Sequence, residues 1–203
     1  THDWRAAGEA WGSRANDWSC LYEHYAIDVL FALFRKLDVG PATAFLDIAC
    51  GAGLAVRLAD ATGAAAAGID AATDLVAVAR ERAPEADLRV GSMYALPWRD
   101  ASFDVACSLE VIEHIEDQFQ FTRELWRILK PGGTAIISTP NVLNVNSRLR
   151  SLHSGFAVLF DPLPLSSRDP VHTAGHIHPI SYYYLAFMLR RAGFADVSVE
   201  YDR

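Results

Sequence analysis

The segment Phe45-Leu-Asp-Ile-Ala-Cys-Gly-Ala-Gly53, followed by Gly68-Ile-Asp70, constrains this chain more than any other feature of it. An apolar strand runs into a tight turn of small residues, a helix follows, and a second short strand ends on a carboxylate. Gly51 and Gly53 carry no Cβ, so the backbone can turn sharply and a ligand can lie against bare N–H groups at the start of the next helix. Asp70, ending the second strand, is placed to accept both hydroxyls of a ribose. The pattern predicts a nucleoside half-site.

Two nucleoside cofactors compete for that half-site. A dinucleotide usually requires a third glycine where its pyrophosphate crosses the helix N-terminus, and Val56 stands there instead. Asp47, inside the loop, would repel a pyrophosphate but can receive an ammonium, which suits the amino-acid tail of S-adenosylmethionine.

Composition agrees with one globular domain over residues 1–203, since 51% of its residues are hydrophobic and can bury a substantial core. A net charge of -7 disfavours nucleic acid as a partner and leaves a small-molecule substrate as the expectation. The three cysteines, Cys20, Cys50 and Cys107, show no metal-type spacing, which suggests reduced thiols and a cytoplasmic location. No apolar run is long enough to span a membrane, and no signal peptide is recognisable.

Periodicity predicts a helical lead-in over 1–40, with a helix from about 21 to 37 ending before Gly40-Pro41. Trp4, Trp11 and Trp18 recur every seven residues, ahead of Tyr22 and Tyr25, and line one side of that lead-in, which reads first as a helix packed on the domain edge. A core follows over 44–140: strand 44–49, helix 53–62, strand 66–70, helix 73–83, strands 87–91 and 103–108, helix 118–130 and strand 134–139. Such alternation implies a doubly wound, mostly parallel sheet with helices on both faces. Residues 141–179 break the rhythm with Pro162, Pro164, Pro170 and Pro179, and are read as a substrate-side insert. Over 180–203 the sequence predicts a helix at 181–192 and a strand near 195–201.

Asp47 to Gly53, Gly68-Ile-Asp70, Gly91-Ser-Met-Tyr-Ala-Leu-Pro-Trp98, Ser102-Phe-Asp104, Ser108-Leu-Glu-Val-Ile-Glu-His-Ile115 and Leu129-Lys-Pro-Gly-Gly133 resemble, in order, the motifs of class I S-adenosylmethionine-dependent methyltransferases. The resemblance covers roughly 44–140, and Arg190-Arg-Ala-Gly-Phe194 is similar to the family's later helix-to-strand junction. It implies cofactor contacts from Asp47, Ala49, Gly51, Gly53, Asp70, Ala71, Ser92, Met93 and Leu109, with Trp18 or Tyr22 in a lid near the methionine moiety. Two positions depart from the family: Ala49 replaces a usual glycine, and Ser92 replaces an acid that accepts the adenine amino group. The family's final antiparallel strand has no counterpart here, so a truncated chain, a partner's strand or a different sheet end are all open, and an uncovered edge would favour a homodimer.

Glu110, Glu113 and His114, at i, i+3 and i+4, share one face if their segment is helical. They read as carboxylates of a helical first turn, as a general base or substrate contact, or as part of a metal site. Glu-x-x-Glu-His with a distant histidine, here His176 or His178, is similar to the arrangement with which ubiquinone-pathway and small-RNA O-methyltransferases hold a divalent cation. The histidines favour oxygen as acceptor, so the expected reaction is methylation of a hydroxyl on a small metabolite or sugar. A non-catalytic S-adenosylmethionine-binding module and a nicotinamide oxidoreductase are the alternatives.

Overall fold

The computed structural model describes residues 4–13, 24–164 and 175–200. Helix α1 (Trp4–Gly12) and helix α2 (His24–Lys36) lead into strand β1 (Ala44–Ile48), helix α3 (Leu54–Ala61), strand β2 (Ala65–Asp70), helix α4 (Thr73–Arg82) and strand β3 (Asp87–Val90). The chain then crosses back to strand β4 (Phe103–Leu109), followed by helix α5 (Gln118–Ile128), strand β5 (Leu129–Ser138), helix α6 (Val145–Ser154) and helix α7 (Tyr182–Ala192). Trp18 and Tyr22, assigned to a lid, lie outside the described residues.

The five strands form one sheet in the order β3-β2-β1-β4-β5, and every pair is parallel. Side chains alternate across it as the strand period requires. Phe45, Val105 and Cys107 pack with Leu30 and Phe34 of α2 and Val56 and Val76 of α3 and α4. Leu46, Ile48 and Ala106 face the other way, onto Phe121, Leu125 and Ile128 of α5 and Met188 of α7. Each large side chain so buried contributes about 1.5–3 kcal/mol. Helices therefore cover both faces, as the strand-helix alternation predicts.

This strand order reverses between β1 and β4, with Asp47 directly beside Cys107 in the register. A crevice opens there at the carboxyl ends of the strands, which is where open α/β sheets take their ligands.

Three elements differ from the sequence expectation. Strand β5 begins at Leu129 rather than 134, because its pairing with β4 jumps from Phe103↔Leu129 to Val105↔Thr134 and absorbs Pro131-Gly132-Gly133 in the irregularity. Residues 195–200 carry no strand; they remain largely exposed and pair with no neighbour in the sheet. The insert contains a helix, α6, where only a proline-rich cap was expected. Its ends are set by the Asn144 side chain, which accepts from Ser147 N–H at 2.8 Å, and by Gly155 at φ 82°.

Candidate functional site

The turn after β1 is held from the neighbouring strand. Cys50 N–H donates to the Ile69 carbonyl at 3.0 Å, and Gly51 N–H donates to Asp70 Oδ2 at 2.9 Å. Asp70 Oδ1 also accepts from Ala72 N–H at 2.8 Å. The acid ending β2 thus closes the turn through one oxygen and starts α4 through the other, while still lining the cavity. Burial raises its pKa, and the surrounding backbone N–H groups pull it back.

Two backbone positions in the turn are demanding. Gly53 sits at φ 83°, and a Cβ there would lie 2.8 Å from the Ala79 Cβ of α4, so glycine is required on both counts. Ala49 holds φ 61° without glycine's freedom. The departure seen in the sequence is therefore a left-handed alanine.

Asp47 lies beneath this turn, 6% exposed. Burial pushes its carboxyl up to about 7; the Cys107 thiol, donating to Oδ1 at 3.2 Å, lowers it, and Asp70 raises it slightly. A buried carboxyl with a single weak donor is relieved by any cation placed beside it. That fits the ammonium of an amino-acid tail. Together with Asp70, Gly51, Ala71, Met93 and Leu109, it lines an open groove of about 1980 Å³ that continues along β5. Ser92 is not on that wall; its hydroxyl accepts from Tyr94 N–H at 3.2 Å.

Helix α1 roofs the cavity. Gly8 meets the β2–α4 turn so closely that a Cβ would lie 2.2 Å from the Ala71 carbonyl oxygen. One turn on, the Trp11 ring meets the His114 ring edge to face at 5.3 Å. Trp11 is the lead-in aromatic that reaches the site among the described residues. Its place in the seven-residue repeat with Trp4 was a usable signal.

The opposite wall follows β4. Glu110 sits at φ 54°, its N–H directed to Ser138, whose hydroxyl donates back to Glu110 Oε1 at 2.8 Å. This left-handed residue breaks the helical spacing, and the one turn of 3₁₀ helix begins only at Ile112. The shared face expected of Glu110, Glu113 and His114 therefore does not form. Ligand atoms of Glu113, His114 and His176 converge within 4.8 Å of one another, and Glu110 and His178 are not in that group.

Within this cluster the electrostatics are unbalanced. Glu113 is fully buried, and neither carboxylate oxygen has a hydrogen-bond partner. Burial pushes its carboxyl up to about 7, its own backbone N–H and the nearby Thr139 hydroxyl lowering it and the Glu110 charge raising it further. His114 is pushed down to about 4 by burial, with His176 adding to the shift. Its Nδ1 donates to the Gly175 carbonyl at 2.9 Å, leaving the Nε2 lone pair free of a proton. The His176 ring lies 4.6 Å from that of His114 and 5.3 Å from that of Phe160.

The insert is strapped onto this turn by its backbone. Ile177 and His178 N–H groups both donate to the Glu113 carbonyl at 3.0 Å, and His178 Nδ1 donates to the Ile115 carbonyl at 2.9 Å. His178 is thus a tether and His176 the histidine delivered to the cluster. An orphaned buried carboxylate beside two imidazoles fits a divalent cation by the nature of its donors.

A doubly wound parallel sheet, a small-residue turn answered by a strand-ending acid, and a second wall of titratable groups define a nucleoside-cofactor enzyme fold of the methyltransferase kind. The comparisons with known proteins agree. Residues 46–137 match the family described as "Methyltransferase domain". A Mycolicibacterium smegmatis relative named for S-adenosylmethionine-dependent methyl transfer is 42% identical over 96 residues, 47% of this chain and 37% of its own length. The ubiquinone biosynthesis O-methyltransferase of Ruegeria pomeroyi is 33% identical over 162 residues, 68% of this chain and 65% of its own length. In structure, the chain that pairs with the Trm112 methyltransferase activator in a Haloferax volcanii complex superposes with a TM-score of 0.68 at 24% identity, covering 93% of this chain and 75% of that one. Over residues 46–137 the chain carries a methyltransferase domain similar to those of S-adenosylmethionine-dependent methyltransferases, and it spans less than two thirds of the length of these two sequence relatives. No helix among the described residues is long and apolar enough to cross a membrane.

Proposed function

We propose that this protein transfers a methyl group from S-adenosylmethionine to a hydroxyl of a small metabolite or sugar. The observation that carries the reading is the convergence of Glu113, His114 and His176, of which His114 lines the same groove as Asp47 and Gly51. The cofactor supplies an electrophilic methyl on a sulfonium. The acceptor oxygen bonds to the methyl carbon as the carbon–sulfur bond breaks, giving an ether and S-adenosylhomocysteine, and the hydroxyl proton must leave. Asp47 receives the ammonium end, Asp70 the ribose, and α1 excludes water from above. Glu113, fully buried behind the groove surface in contact range of His114, is the group whose pKa, about 7, suits taking up a proton near neutrality. His114, at about 4, is better suited to accept a hydrogen bond or a cation through Nε2 than to act as the base. The relationship to a named O-methyltransferase supports oxygen as the acceptor.

A second reading adds a metal. A divalent cation held by Glu113, His114 and His176 would lower the pKa of the acceptor hydroxyl. It is favoured by the unpartnered Glu113 carboxylate. Incubation with labelled S-adenosylmethionine and a panel of sugar and phenolic hydroxyl compounds tests the first reading, which predicts label on oxygen; label only on amines overturns it. Metal binding is tested by equilibrium dialysis against magnesium, manganese and zinc, where one ion per chain that Glu113→Gln abolishes is expected. Absence of any bound ion removes the metal.

A further inference from the structure

Helix α6 is turned inside out. At about 100° per residue, Val145, Leu149 and Leu152 fall within an arc of about 60°. Ser147 lies roughly 190° from the centre of that arc. Ser147 is the residue that faces the protein: it is 1% exposed, and its hydroxyl accepts from Val158 N–H at 3.2 Å. The apolar arc therefore faces outward, with Val145 70%, Leu149 61% and Leu152 85% exposed. An ordinary surface helix buries its apolar stripe and exposes its polar side.

The segment after α6 continues the pattern. Phe156, Leu159 and Leu163 are also exposed, so half of the large apolar side chains left exposed among the described residues fall between 143 and 163. Concentrations of this kind mark interaction surfaces, whereas single exposed leucines do not. The helix is held in this orientation: Arg150 donates to the Ala157 carbonyl at 2.7 Å and pairs with Asp161, which packs the following segment against the helix's inner side.

Charge identifies the occupant. The helix carries Arg148, Arg150 and His153 and no acid, in a chain whose net charge is -7. Arg148 and His153 flank the apolar arc, each about 70° from its centre. In a two-fold pairing of α6 with a second copy, these groups would meet their own kind with no carboxylate on the helix to answer them. An outward apolar stripe edged by basic groups matches the interface of an anionic bilayer, with the leucines among the acyl chains and Arg148 at the phosphates.

We propose that α6 docks this protein onto an anionic lipid surface as an interfacial helix, without spanning it. Leu143, Arg148 and Leu159 also line the groove that carries His114 and Glu110, so docking brings the acceptor side of the groove to the bilayer. That last consequence rests on the proposed methyl transfer; the docking itself does not.

Co-sedimentation of the full chain with phosphatidylcholine–phosphatidylglycerol vesicles, without cofactor or acceptor, tests it. The protein should sediment with the mixed vesicles more than with pure phosphatidylcholine. The pair Leu149→Ser and Leu152→Ser should lower partitioning by about tenfold or more. Both leucines are exposed and off the groove, so circular dichroism and S-adenosylhomocysteine binding should be unchanged. Failure to sediment with any vesicle overturns the proposal, as does equal sedimentation of the wild type and the double variant. A concentration-dependent dimer that the same substitutions dissolve, with no vesicle binding, overturns it in favour of a second copy.

Discussion

His114 Nδ1 donates to the carbonyl of Gly175 at 2.9 Å, across 61 residues of sequence. This bond fixes the tautomer, leaves Nε2 without a proton, and makes the geometry of the cluster depend on the insert. The insert is therefore part of the site, although it belongs to no strand of the sheet.

Glu113→Gln should separate stability from activity. The glutamine keeps the shape but removes a buried carboxylate without a partner. We expect a higher unfolding temperature at pH 8 in metal-free buffer, and a loss of methyl transfer of about 100-fold or more. Thermal melts and single-turnover transfer check the two halves.

The pH dependence of stability has a definite sign. Asp47 and Glu113 hold their protons to about 7 in the fold, against ordinary values of 3.8 and 4.5, so the folded state binds more protons between about 4 and 7. Stability from these two groups is full below about 4 and is lost as pH rises to 7. His114, lowered to about 4, works the opposite way between about 4 and 6.5. These two carboxyls, with Asp70 raised in the same direction, oppose one imidazole. Asp47→Asn should therefore gain on the wild type, by on the order of 2–4 kcal/mol, between pH 5 and pH 8 in urea unfolding. The same variant should bind S-adenosylhomocysteine more weakly.

Ala49→Gly should relieve the left-handed alanine of the turn. The expected gain is about 0.5–1 kcal/mol, since glycine's larger unfolded-state entropy offsets part of the relief. Affinity for S-adenosylhomocysteine should be equal or higher, as read by calorimetry.

Gly8→Val should undock α1. Its side chain would strike the Ala71 carbonyl, which belongs to a backbone fixed by Asp70. We expect weaker S-adenosylhomocysteine binding and faster release in stopped flow, with the sheet's melting little changed. Gly12→Ala, where a Cβ meets nothing closer than 3.6 Å, is the control.

What the sequence revealed depended on how local the cause was. The core from β1 to β4 was legible within a residue or two, because the alternation of Phe45, Leu46 and Ile48 and the small residues at 49–53 act locally. Glu110 was misplaced because its spacing to Glu113 and His114 presumed a helix, while Ser138 on the adjacent strand holds it left-handed. His176 and His178 could not be told apart by composition; only the backbone bonds to the Glu113 carbonyl separate the tether from the histidine of the cluster. Helix α6 had caps in Asn144 and Gly155 and an apolar stripe at Val145, Leu149 and Leu152; what local sequence could not tell is that the stripe faces outward, since Ser147 is buried by the segment that follows the helix.

Calorimetric titration of the protein with S-adenosylhomocysteine, run beside NAD, tests the central claim most directly. The account predicts one S-adenosylhomocysteine site per chain, weakened about tenfold or more by Asp70→Asn, and no heat from NAD. Binding of NAD with none of S-adenosylhomocysteine would contradict it.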